Sequence, residues 1–208
     1  MDGQGNSGAA LARRFVRWSK VMTMTGTVRL AAVVYDAGFK IDDFLTRVAD
    51  RLRADRINMA GVLQENSGDT AGVCSAMTLV DLTSRGRFRI SQDLGSQAEG
   101  CRLDAHGLAE IGALLDRPLG HDVELLMLNR FGKAEAEGGG LRSAFVHAME
   151  AGVPVLTAVR PPYIEAWSKF HGRLAVDLIA DLDAVLAWCR NSVRELRAAR
   201  RNELSPTG

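Results

Sequence analysis

The sequence predicts an α/β protein: a mostly parallel sheet flanked by helices, with an inserted β-hairpin. Three observations predict it. First, "VRLAAVVYD" (28–36), "INMAGVLQ" (57–64), "DVELLMLN" (122–129) and "VPVLTAV" (153–159) are near-continuous apolar runs. Such runs suit strands buried on both faces, as in a parallel sheet. Second, apolar residues recur at helical spacing between these runs, giving strand, helix, strand. Third, "GVCSAMTLVDL" and "RFRISQDL" flank the turn-like "TSRG" and read as a hairpin.

Taken in order, residues 1–26 read as a poorly ordered extension. They contain no apolar stretch of signal-peptide length, and Met22 or Met24 is an alternative start. Their basic cluster, Arg13, Arg14, Arg17 and Lys20, reads as a solvated tail ahead of a lipid or nucleic-acid contact. Residues 27–201 read as a single α/β domain, with the hairpin inserted at about 70–103 and a tail at 202–208. After the first strand and the turn "DAGFK", Asp42 and Asp43 stand where a helix starts. Phe44, Leu45, Val48, Ala49 and Leu52 then make one helical face. Beyond the hairpin, "GSQAEGCRLDAHG" is a polar loop, and Leu108, Ile111, Leu114 and Leu115 mark a helix. Leu141, Phe145, Val146 and Met149 mark another, "PPYIEAWSKF" opens a short one, and residues from about 179 to 201 form a long one ending in "RELRAARR".

Bulk numbers narrow the function classes. The 208 residues are 47% hydrophobic, enough for a core, and carry a net charge of +1. No global field recruits nucleic acid, and no run approaches the length of a membrane span. The three cysteines are widely spaced and the four histidines form no close pair, so neither a disulfide framework nor a zinc site is indicated. A reduced, cytoplasmic setting fits.

The strand ends carry the candidate chemistry, because ligands of open parallel sheets gather at carboxyl ends. Four of them, "YDAGFK", "LQENSGD", "NRFGKAEAEGGGLR" and "VRPPY", supply Asp36, Gly38, Lys40, Gln64, Asn129, Gly132, Lys133, Glu135, Glu137, Arg142 and Arg160. The first turn lacks the G-x-x-x-x-G-K-[ST] of a phosphate-binding loop. It has one Gly and one Lys and puts Asp42 where a hydroxyl is wanted, so an ordinary βα turn and a degenerate phosphate loop both remain open. Gly138, Gly139 and Gly140 before a helix permit close backbone approach to an anion, and Lys133 and Arg142 add donors. Glu135 and Glu137 either hold a cation, position water or pair with those bases; Asn129 can hydrogen-bond but cannot act as a base. A weaker candidate lies in the hairpin, at Arg89, Gln92, Asp93, Arg102 and Cys101. His147, Trp167, Phe170 and His171 read as packing residues.

"AAVVYDAGF", "RISQDLGSQAEGCRLD" and "LNRFGKAEAEGGGLRSAF", followed by "GVPVLTAV", resemble a bacterial family known as domain of unknown function 2478, over about residues 28–190. That family is in turn similar to P-loop small nucleoside-triphosphatases, and some members are described as molybdenum-transport ATP-binding proteins. The resemblance implies a P-loop-like three-layer sandwich and a link to molybdate or molybdenum-cofactor metabolism. The matching phosphatase stretch D-E-x-G-K-x-E becomes "NRFGKAE": Gly132, Lys133 and Glu135 remain, while Asn129 and Arg130 replace both leading carboxylates. Losing magnesium ligands and the phosphate cradle together removes most stabilisation of phosphoryl transfer.

The leading expectation is therefore a small-anion or nucleotide binder on a degenerate P-loop-like scaffold. Lys133, Arg142 and the glycine amides would bind negative charge, and Asn129, Gln64 and Asp36 would orient the ligand. One alternative is a magnesium-dependent nucleoside-triphosphatase or kinase, with Lys40 or Lys133 at the phosphates and Glu135 as metal ligand or catalytic residue. Another is a regulatory partner of a transporter or cofactor-assembly enzyme in molybdenum metabolism.

Overall fold

The structure, a computed structural model, describes residues 29–66, 77–92, 102–103, 111–112, 115, 119–120 and 122–203. The N-terminal extension, Cys74, Asp93, Cys101, Leu108, Leu114 and the last five residues lie outside them. The described strands are β1 (Leu30–Val34), β2 (Met59–Asn66), β3 (Met77–Asp81), β4 (Arg87–Arg89), β5 (Ser91–Gln92), β6 (Arg102–Leu103), β7 (Leu125–Leu128), β8 (Val155–Val159) and β9 (Ala175–Ile179). The described helices are α1 (Ile41–Ala54), α2 (Lys133–Ala136), α3 (Arg142–Glu150), α4 (Ile164–His171) and α5 (Leu182–Glu203).

Seven strands form one sheet in the order β4-β3-β2-β7-β8-β1-β9, and β5 and β6 pair separately. From β2 to β9 neighbours run parallel. The hairpin adds β3 and β4 to one edge, antiparallel to β2 and to each other. Alternation within each strand divides the core into two layers. Leu30 and Ala32 pack on one face of β1, with Phe145 of α3, Trp167 of α4, and Ile111 and Leu115. Ala31 and Val33 pack on the other, with Phe44, Leu45, Val48 and Leu52 of α1 and Val185, Leu186 and Val193 of α5. Each fully buried Leu or Phe contributes roughly 1.5–3 kcal/mol by transfer from water.

Crossover direction explains the layering. The chain leaves β1 toward the hairpin edge, passing β8 and β7 to reach β2, but β7→β8 and β8→β9 run the opposite way. Right-handed crossovers in opposite directions land on opposite faces, hence α1 on one and α3 and α4 on the other. Neighbouring β1 and β8 thus send their connections to opposite faces, the switch point at whose carboxyl ends open α/β sheets generally bind ligands.

One glycine is required by the sheet. Gly61 of β2 has φ +111°, and a Cβ there would lie 2.0 Å from the Met127 carbonyl oxygen of β7. Only a residue without a side chain lets these backbones approach so closely.

β9 is not signalled by the apolar-run pattern. It is an edge strand whose residues alternate between partly buried and exposed, with Ile179 72% exposed, so it has no continuous apolar run. Its Asp177 accepts a hydrogen bond from the Trp167 indole at 3.1 Å. Among the described residues no helix is long and apolar enough to cross a membrane.

Candidate functional site

The carboxyl ends of β1, β2, β7 and β8 bring one polar cluster together. Tyr35 follows β1 and donates its N–H to Val159 of β8 at 3.2 Å, which keeps those two ends side by side. Arg160 follows at the end of β8. Asn129 follows β7 and is buried; its Oδ1 accepts the Gln64 backbone N–H of β2 at 2.9 Å. Its Nδ2 stands 3.5 Å from Gln64 Oε1. Beside it, Arg130 reaches across to the first turn of α1. Its Nη2 lies 2.6 and 2.9 Å from the two carboxylate oxygens of Asp42 and 3.2 Å from Gln64 Oε1.

Position and burial make this pair tight. Arg130 precedes Phe131, whose N–H donates to Ala158 of β8 at 2.8 Å and whose ring is packed against Phe145, Trp167 and Phe170 at 5.3–6.2 Å. The backbone launching the guanidinium is therefore held by the core. The Asp42 side chain is 10% exposed and that of Arg130 31%. Two groups in the cluster have no hydrogen-bond partner despite burial: the Tyr35 hydroxyl and Arg130 Nε. Burial raises the Tyr35 pKa above its ordinary value, and the nearby Arg130 and Arg160 charges oppose that rise only in part. The phenol thus stays a neutral O–H donor.

The β1–α1 turn with Asp36, Gly38 and Lys40 is exposed at the rim of this cluster. Gly38 has φ +89°, and neither Asp36 nor Lys40 has an ion-pair partner among the described residues.

The glycine-rich segment after β7 is a second unit. Glu135 is buried, and its two oxygens accept the N–H groups of Gly132 and Leu141, each at 2.9 Å. It ties both ends of the turn that contains Gly138, Gly139 and Gly140. Arg142 donates to the Glu135 carbonyl at 3.1 Å and lies 4.7 Å over the Phe170 ring. Lys133 is exposed, with its Nζ 3.8 Å from Glu137. Arg142 also lines an open groove of about 380 Å³ with Ala136, Pro162, Glu165, Lys169 and Phe170. Gln64 and Asn129 thus meet in the strand-end cluster, while Glu135, Gly132 and Arg142 close a turn on the α3–α4 side.

Sequence pattern alone gives Arg130, Tyr35 and Asp42 no ligand role. A signal existed: an arginine stands where the related stretch has a carboxylate, and an aspartate stands where a hydroxyl is wanted. The two exchanges have opposite charge. The other sequence candidates resolve more simply. Trp167 and Phe170 pack in the aromatic cluster, and the His171 ring lies 4.9 Å from Trp167. Cys189 is buried, and desolvation pushes its thiol up to about 12. Gln92 and Arg102 are register partners in the small β5–β6 pair.

The sequence model of a family described as "Protein of unknown function (DUF2478)" matches residues 30–188. The chain belongs to that family. It is also similar to the molybdenum import ATP-binding protein ModC 2 of Bradyrhizobium diazoefficiens, 35% identical over 172 residues. That match covers 83% of this chain but 19% of that protein, so the chain spans about a fifth of the relative's length. Among solved structures it is similar to a human cancer-related nucleoside triphosphatase, with a TM-score of 0.52 and 13% identity, covering 81% of this chain and 98% of that one. At this identity the likeness is one of fold: a P-loop-NTPase-like α/β sandwich.

Such a fold implies magnesium, and the residues here do not fit it. Magnesium takes hard oxygen ligands, usually one or two carboxylates with phosphates and waters. The carboxylate in the first turn of α1 is held through both oxygens by Arg130, and β7 ends in a neutral amide already bonded to Gln64. Among the described residues no three His, Cys, Asp or Glu side chains gather to hold a metal.

Proposed function

We propose that this chain binds a small phosphate-like or oxyanion ligand, as free anion or nucleotide, on a P-loop-like scaffold that has lost ordinary triphosphate hydrolysis. The observation that carries the reading is the Arg130-centred cluster at the carboxyl ends of β1 and β8. Lys40, Arg130 and Arg160 supply positive charge there, Tyr35 supplies a neutral donor, and the exposed turn with Asp36 and Gly38 closes over the ligand. Gln64 and Asn129 orient Arg130. Glu135 fixes the turn from which Gly132, Lys133 and Arg142 present a second, outer set of donors. With the buried carboxylate of the cluster, Asp42, paired to Arg130 and a neutral amide at the end of β7, the usual magnesium-centred aid to phosphoryl transfer is missing.

The similarity to one fifth of a molybdenum import protein supports a second reading of the same module. As a small domain joined to a larger assembly, it would report the ligand, molybdate or nucleotide, to a transporter or cofactor-assembly partner in a reduced cytoplasmic setting.

Thermal unfolding against ATP, GTP, ADP, molybdate, tungstate, sulfate and phosphate, each with and without magnesium, tests the reading. A ligand at about 100 times its dissociation constant adds ~2.7 kcal/mol, enough for a clear rise in Tm. Steady turnover of ATP or GTP would sink the claim of lost hydrolysis. A flat response to the whole panel would sink anion binding.

A further inference from the structure

We infer that the site works without a divalent metal, because the Arg130 guanidinium is its resident cation. The inference rests on the anion-binding reading and names the chemistry of that same site.

In the related hydrolases, the start of the first helix and the end of the later strand supply the residues that hold magnesium, as the resemblance implies. In this chain those same two elements are joined by Arg130, one residue past the Asn129 that follows β7, and Asp42, in the first turn of α1. The buried carboxylate at that junction, Asp42, is neutralised by a group that cannot lose its charge near neutral pH. A divalent ion entering there would displace a two-point ion pair and face the freed guanidinium at close range.

The second point is what the cluster leaves unmade. Tyr35 is buried, and its hydroxyl lies beside the Arg130 guanidinium without a well-aligned hydrogen bond. Arg130 Nε is likewise buried and unpartnered. Buried polar groups without partners are uncommon, and each calls for an explanation. A tetrahedral oxyanion or terminal phosphoryl group has several acceptor oxygens and no donor requirement, so it can satisfy donors of both kinds at once. Arg160 follows Val159, whose carbonyl accepts the Tyr35 N–H, and so adds charge at that strand end. A neutral ligand would leave this positive edge uncompensated. A metal–anion complex would bring a second cation to an already cationic site.

Inorganic pyrophosphate, ATP, molybdate and sulfate are titrated calorimetrically into the full chain, once with EDTA and once with excess magnesium. At least one is expected to bind with dissociation constants that agree within about twofold in the two buffers. Arg130→Met alone leaves the Asp42 charge without its guanidinium, so the double variant Arg130→Met/Asp42→Leu, which removes both charges together, is the main probe. It should weaken binding by about 10–100-fold, the range for losing a charge-assisted contact. Tyr35→Phe, which deletes only an unpartnered hydroxyl, is the second probe should the double variant fail to fold. It should weaken binding several-fold without lowering Tm. Binding seen only with magnesium, or undiminished in the folded double variant or in Tyr35→Phe, overturns the metal-free site while leaving anion binding intact. No binding by any probe in either buffer overturns anion binding itself, and this inference with it.

Discussion

Thr157, in the middle of β8, is fully buried and its hydroxyl has no hydrogen-bond partner. An unsatisfied buried polar group costs about 1–3 kcal/mol of desolvation. Thr157→Val keeps the branched shape that strands favour and removes the hydroxyl. It is expected to raise stability by about 1 kcal/mol in urea denaturation; a loss would mean that the hydroxyl has a partner in solution. The strand-end cluster follows the opposite logic. There the Tyr35 hydroxyl lies among the charged groups Arg130, Arg160 and Asp42, the setting on which the proposed anion site rests. Asp42 and Arg130 lie 88 positions apart. Each looked like a loss when read separately: a missing hydroxyl and a missing carboxylate. Together they form one ion pair, and only their proximity reveals it.

At the scale of elements, one carboxylate joins the two ends of the segment formed by the four-residue α2 and its glycine turn. Glu135 caps the N–H of Gly132 and that of Leu141, adding a side-chain tie to the backbone hydrogen bonds within the turn. Gly140 has φ +61°, and a Cβ there would fall 2.1 Å from Glu135 Oε1. Gly140→Ala should therefore cost ~1–3 kcal/mol from backbone strain and carboxylate displacement. Glu135→Ala should cost ~1–3 kcal/mol by stranding two amides. Because both act through one carboxylate, the double variant should lose clearly less than the sum, as a denaturant-based mutant cycle would read. Additive losses would show that the glycine acts independently of the cap. The run of three glycines was legible in the sequence as a turn before a helix. The partner of its glutamate was not, because a carboxylate near a glycine turn can face either a ligand or the turn's own amides.

At the scale of the molecule, acid stability reports how the layers are tied. Glu124, just before β7, receives both nitrogens of the Arg197 fork of α5 at 2.5 and 2.7 Å and the Asn58 N–H at 3.0 Å. The Arg197 hydrogen bond, aided by Asn58, holds its carboxyl below the usual value of 4.5 despite partial burial. His171 is held below 6.5, chiefly by burial against the core. In both cases the unfolded chain binds protons more readily than the folded one, so stability rises with pH through these windows. The protein should lose stability as pH falls below 6.5, through His171, and more below 4.5, through Glu124. Denaturation midpoints across that range check it. Glu124→Gln should flatten the lower part of the slope and leave the part near 6.5 unchanged.

The sequence by itself determined the class of fold and the order of most of the elements. Those signals are local: apolar runs for β1, β2, β7 and β8, helical spacing for α1 and α3, turn residues for the β3–β4 hairpin. It also placed the candidate polar residues at strand ends, because parallel strands direct their loops there. The half-exposed β9 escaped, since an edge strand in contact with one neighbour need not be apolar throughout. Only the tertiary structure decided which charges meet. Whether Glu135 faces a ligand or its own turn, and whether Arg130 faces solvent or Asp42, depends on the packing of elements far apart in sequence. Charge type is written residue by residue, but charge pairing is a property of distance, and distance exists only once the sheet has closed its order.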